Sequence, residues 1–170
     1  EGVGGALGTG SSACFWHVAT SRYALGATRE LRDFETDGAQ FVGSSSQAFD
    51  VILVDGYDHK GLPSALSTQG FYDDCFGTLA PNGILVVNLH ADHRHYDIHI
   101  DRIGRSFNNA VLLVEDKREG NSVVFAQKDQ QAKSLTIGPL RRPPTFDEKT
   151  WNSFQGPFAR ILSAIKAQPR

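Results

Sequence analysis

The sequence contains no methionine, not even at position 1, and only two cysteines, Cys14 and Cys75. A chain without an initiator residue points to a fragment or a processed product. Two cysteines without a spacing motif exclude a disulfide framework and a cysteine-built zinc site, so reduced, partly buried thiols are expected. No apolar run reaches the roughly 18 residues of a membrane helix. The Gly-rich start lacks the basic residues of a signal peptide. The expected setting is therefore the cytoplasm, with no membrane partner. Charge of one sign is also missing. Seventeen Lys and Arg against nineteen Asp and Glu leave a formal charge of -2, which gives no electrostatic reason to bind nucleic acid. Internal repeats are absent as well.

What is present is an ordinary globular balance, 40% hydrophobic and 21% charged, in 170 residues. That length fits one domain. The middle of the chain is the readable part. Phe49 to Asp55 reads FDVILVD, a short β-branched run that predicts a strand buried on both faces, as in a parallel sheet. Residues 56–67 hold Gly, Pro and Ser and read as a loop. Ser67 or Thr68 can cap a helix running to about Leu79, with Phe71, Cys75 and Leu79 on one face. Pro81-Asn82-Gly83 then turns the chain. Ile84 to Leu89 predicts a second strand, 93–107 a weaker helix, Ala110 to Glu115 a third strand, and Ser122 to Gln127 a fourth.

The first two connections are long enough for parallel crossovers, and the last is short enough to force an antiparallel pair. The expected fold is thus α/β, a mostly parallel sheet ending in an antiparallel hairpin strand, as in Rossmann-like methyltransferase domains. Residues 1–137 are expected to form this nucleotide-binding domain, with 1–30 divergent or truncated. Residues 138–170 would supply a linker through Arg141-Arg142-Pro143-Pro144 and a C-terminal helix from Trp151 to Lys166. Its apolar face would hold Phe154, Phe158, Ile161 or Leu162, and Ile165.

In open parallel sheets, ligands bind beyond the carboxyl ends of the strands. Asp55 stands at such an end, and Asp58 follows three residues later in Asp55-Gly56-Tyr57-Asp58. Two carboxylates on one loop can hold a cation or take a proton from an attacking amine. Asp55 and Asp58 are the candidate catalytic pair, with Tyr57 and Asp58 as candidate substrate contacts. The competing structural role for Asp55 is to cap the next turn. Asp37-Gly38 could offer a carboxylate to an adenine amino group or form a simple turn. Gly8 and Gly10, in Leu7-Gly8-Thr9-Gly10-Ser11, could let the backbone approach a nucleotide closely. Glu30, twenty residues beyond Gly10, stands at the distance of a ribose-binding acid. His90, Asp92, His93, His95 and His99 form no zinc spacing, and a solvated helix start is expected there, with no metal. The basic pairs Lys117-Arg118 and Arg141-Arg142 are expected on solvated turns.

From Asp37 to Lys128 the sequence resembles the polyamine aminopropyltransferases, the spermidine synthase-like proteins. The matching residues run collinearly: Asp37-Gly38-Ala39-Gln40-Phe41, Phe49 to Asp55, Asp58, Gly61-Leu62-Pro63, Phe71-Tyr72, then Leu79 to Val86 with Ala80-Pro81-Asn82-Gly83 inside. The resemblance implies decarboxylated S-adenosylmethionine as aminopropyl donor and a polyamine or other amine as acceptor. It implies that Asp55 and Asp58 bind the acceptor amine, that one of them deprotonates it, and that Asp37 and Gly38 contact adenine. No metal is implied. The family pattern Asp-Ser-x-Asp-Pro reads here Asp55-Gly56-Tyr57-Asp58-His59. Two alternatives stand beside the transferase reading. One is a methyltransferase using S-adenosylmethionine itself. The other is a non-catalytic remnant that binds a partner or forms a homodimer through open strand edges.

Overall fold

The computed structural model describes residues 37–46, 48–56, 62–116, 120–129 and 140–167. Gly8, Gly10, Glu30, Tyr57 and Asp58 lie outside them, as do Cys14, Lys117 and Arg118. The architecture is α/β. Four strands, β1 (Phe49–Val54), β2 (Leu79–His90), β3 (Val111–Asp116) and β4 (Asn121–Gln127), form one sheet in the order β1-β2-β4-β3. β1 and β2 are parallel, and β4 is antiparallel to both β2 and β3. The antiparallel hairpin strand expected to end the sheet is seated inside it, between β2 and β3. The short β3–β4 connection forces their antiparallel pairing, and β4 then fills the gap that the α3 crossover leaves beside β2.

Helices α1 (Gly38–Ser44), α2 (Gln69–Thr78) and α3 (Tyr96–Ser106) follow one another across one face. Alternation along each strand sends every second side chain to that face. Leu85, Val87 and Leu89 of β2 and Val124 and Ala126 of β4 meet Phe71, Tyr72, Cys75, Ile103 and Phe107, all nearly or fully buried. As the helical spacing predicted, Phe71, Cys75 and Leu79 are buried together. The Thr68 hydroxyl accepts from the Phe71 N–H, so Thr68 rather than Ser67 caps α2. At the other end of α2, Lys128 donates through Nζ to the Leu79 carbonyl at 2.6 Å and the Gly77 carbonyl at 3.2 Å, meeting carbonyls the helix leaves unpaired. Gln69 binds α2 to α3, its Nε2 donating to Ser106 Oγ at 2.8 Å and the Arg102 carbonyl at 3.2 Å.

Several local expectations are corrected. Pro81-Asn82-Gly83 does not precede β2 but lies within it. Asn82 takes φ of 61°, and the β1–β2 register shifts between the Phe49–Leu79 and Val51–Ile84 pairs. A Cβ on Gly83 would meet the Ala80 carbonyl oxygen at 2.9 Å and the Phe49 carbonyl oxygen at 3.0 Å, so only glycine fits this bulge. β1 is not buried on both faces: Val51 is 52% and Leu53 65% exposed. An apolar run records what a strand tolerates, not what covers it. Among the described residues the second face is covered by the C-terminal helix α5 (Gln155–Ala167), which lies toward β3. The C-terminal helices are two rather than one, α4 (Glu148–Ser153) and α5, and neither buries a residue fully. Asp147 caps α4 by accepting from the Thr150 N–H. Phe154, expected in a core, sits between them 37% exposed, stacked on Phe146 and beside Phe158.

Candidate functional site

The second face of the sheet is where polar groups gather. α5 lies against β3 and leaves a groove of about 400 Å³ between itself and the strands. The floor is apolar, with Leu53, Val86, Val114, Val123 and Phe125, and Pro157 and Ile161 of α5 form one wall. At the end where β1, β2 and β3 finish and β4 begins, the lining becomes Asp55, Asn88, Glu115 and Asn121, with Arg160 on the helix side. This is the end at which an open α/β sheet receives ligands.

Asp55 follows directly on β1 and is exposed. Val54 pairs with Val87, so Asn88 lies beside Asp55 on the neighbouring strand. The Asn88 Nδ2 donates to Asp55 Oδ1 at 3.0 Å. One carboxylate oxygen is thereby fixed by a neutral donor. Among the described residues, the side chain that meets this carboxylate is Asn88, across the sheet. Sequence reasoning missed Asn88, although the signal was there, a single amide interrupting the apolar run Ile84 to Leu89. Asn121 and Arg160 were missed too, because neither stands in a motif.

Asp37 is placed as a helix cap. Its Oδ1 accepts from the N–H groups of Ala39 at 2.9 Å and Gln40 at 3.0 Å, and Gly38 is buried as the first residue of α1. Asp37-Gly38 thus opens a helix instead of forming a simple turn. α1 is separated from β1 by four residues, and Asp37 stands at the helix end remote from that connection.

The histidine segment divides. His90, Asp92 and His95 are exposed, as a solvated helix start requires. His99 is not: it is 3% exposed, and its Nδ1 lies 3.4 Å from the buried Tyr72 hydroxyl. Burial holds its pKa well below 6.5, at about 4, with the charges of His93, Arg102 and His95 adding to the effect. The helix period explains the correction, since His99 and Ile103 share the face of α3 that meets the core. Among the described residues no group of His, Cys, Asp and Glu is arranged to hold a metal ion. Nor is any described helix long and apolar enough to cross a membrane. Burial and the neighbouring Asp74 push the Cys75 thiol far up, so this buried cysteine is unsuited to nucleophilic work.

No family model matches the sequence. The polyamine aminopropyltransferase of Neisseria meningitidis serogroup A is 32% identical over 133 residues, 78% of this chain and 49% of that protein. The polyamine aminopropyltransferase of Chromobacterium violaceum is 35% identical over 102 residues, 60% of this chain and 38% of that protein. Among solved structures, a probable spermidine synthase from Corynebacterium glutamicum is 25% identical and aligns with a TM-score of 0.48 over 54% of this chain and 36% of that one. The chain spans about half the length, or less, of these curated relatives. The identity of these relatives, 32% over 78% of this chain, supports the polyamine aminopropyltransferase, or spermidine synthase-like, family that the collinear motifs from Asp37 to Val86 suggest.

Proposed function

We propose that this chain carries the acceptor half of an aminopropyltransferase, moving an aminopropyl group from decarboxylated S-adenosylmethionine to a polyamine. The observation that carries the reading is Asp55: an exposed carboxylate at the carboxyl end of a parallel strand, held by Asn88 at the mouth of a groove with an apolar floor. An acceptor amine is cationic, and Asp55 offers it a counter-charge. To react, the amine must lose a proton and present its lone pair. Asp55 takes that proton as general base, and the resemblance assigns Asp58 to the same amine.

The electron count then closes. The amine nitrogen forms a bond to the propyl carbon attached to the sulfonium. The carbon–sulfur bond breaks, and its electron pair returns to sulfur, leaving a neutral thioether, methylthioadenosine. The driving group belongs to the donor, so the protein needs only to position two substrates and accept one proton. Asp37 and Gly38 are assigned to the donor's adenine by the same resemblance. Oδ1 of Asp37 is engaged in capping α1, so that contact would fall to the second oxygen.

Calorimetry tests this reading. Folded protein should bind methylthioadenosine, and bind decarboxylated S-adenosylmethionine more tightly than S-adenosylmethionine. Tighter binding of the carboxylated donor would instead make the chain a methyltransferase. No adenosyl-sulfur ligand bound at all would end the transferase reading.

A further inference from the structure

One polar atom in the groove is unexplained by the site as described so far. Asn121 begins β4, and the alternation along that strand puts it on the groove side with Val123 and Phe125. Its Oδ1 is buried and has no hydrogen-bond partner among the described residues. A buried carbonyl oxygen without a donor is costly and is met far more often with a partner than without. An acceptor atom of this kind at the wall of a ligand-sized groove calls for an N–H or O–H from the ligand.

We infer that Asn121 is a specificity-determining residue: its Oδ1 accepts a hydrogen bond from the distal nitrogen of a diamine whose reacting nitrogen lies at Asp55. The inference rests on the acceptor role proposed for Asp55. Three features of the groove fit it. Asn121 pairs with His90, and Asp55 lies beside Asn88, so the two are two strands and two residues apart, roughly 12 Å between backbones. That span leaves room for a chain of several methylenes running past Asn88, with Val86, Val123 and Phe125 as an apolar flank on its inner side. The charge also matches. Among the described residues that line the groove, Asp55 and Glu115 stand against one cation, Arg160, which is already engaged with a neighbour. A monoamine of the same length would satisfy Asp55 and strand Asn121.

The test compares an α,ω-diaminoalkane with the 1-aminoalkane of equal carbon number, by calorimetry on the full chain with methylthioadenosine present. The native chain should prefer the diamine by roughly ten- to a hundredfold, the weight of one hydrogen bond to a charged group. Asn121→Leu should reduce the preference to within about threefold, chiefly by loss of diamine affinity. Asn121→Asp, which keeps an acceptor oxygen, should retain the preference; that rescue separates recognition from a folding defect. Asp55→Asn should weaken both amines together. If Asn121→Leu leaves the preference intact, or weakens both amines equally, Asn121 does not read the distal nitrogen. If neither amine binds the folded native chain, the acceptor role of Asp55 falls, and this inference with it.

Discussion

The two faces of the sheet use the same strands to opposite ends. In β2, Val87 points to the helices α1 to α3 and is fully buried, while its neighbour Val86 points to the groove and is only partly so. The first face is mostly hydrocarbon closed by hydrocarbon, and its buried polar groups, His99 and Ser122, have the Tyr72 and Tyr96 hydroxyls as partners. The second carries Asp55, Asn88 and Asn121 on an apolar floor and is covered along one side by α5. The alternation of side chains lets a strand hold the fold together with one set of residues and present chemistry with the other. Polar groups that would be ruinous on the first face cost little on the second, because water and ligands can reach them.

The largest expected effect belongs to the open face. Asp55→Asn preserves shape and the neighbour Asn88 but removes the charge and the base. Aminopropyl transfer should fall by about 10²–10⁴-fold, the usual weight of a general base, with the thermal midpoint nearly unchanged. Steady-state transfer read beside a thermal melt checks both halves. A variant that melts early yet transfers normally would move Asp55 from chemistry to structure.

The next effect sets the two faces directly against each other. Val87→Ala should cost about 2–3 kcal/mol, from lost burial plus the void it leaves. Val86→Ala, one residue away, should cost less than half as much. Urea unfolding with equal m-values measures both. Equal costs would mean that the groove face is sealed as tightly as the helix face.

A third effect tests the histidine buried in the closed face. His99 has a folded pKa of about 4 against 6.5 in the unfolded chain. Above pH 6.5 it is neutral in both states and contributes no pH dependence. Between 6.5 and 4 the unfolded chain binds a proton that the folded chain refuses, so stability falls as pH drops through that window. The loss should approach about 3 kcal/mol at its lower end. His99→Gln should flatten this part of the profile, read as unfolding free energy against pH.

The two faces were not equally legible in the sequence. The closed face announced itself through period: Phe71, Cys75 and Leu79 at helical spacing, and β-branched runs ending at Asp55 and Leu89. Asp55 was legible because a strand end followed by a loop is a position with known chemistry. Asn88 left one signal, an amide inside an apolar run, but Asn121 left none, since it joins the site only through strand pairing and β4 inserts between β2 and β3 where the chain order cannot reveal it. His99 was misjudged among its neighbours because four histidines within ten residues look alike until the helix phase decides which one faces inward. The exposure of β1 was illegible for another reason. Val51 and Leu53 have the strand propensity of buried residues, and propensity does not distinguish a covered face from an open one.

That last point yields the smallest expected effect and the sharpest check on the two faces. Val51 is 52% exposed and does not line the groove. Val51→Thr keeps the β-branched shape and the strand preference while replacing a methyl with a hydroxyl. On an open face the hydroxyl meets water, and the change in unfolding free energy should stay within about 0.5 kcal/mol. On a covered face it would be stripped of water without a partner, and the loss would exceed about 1 kcal/mol. Measured in the full chain, the small value keeps the asymmetry of the sheet. The large one would show that β1 is covered in solution and that the groove is bounded on both sides.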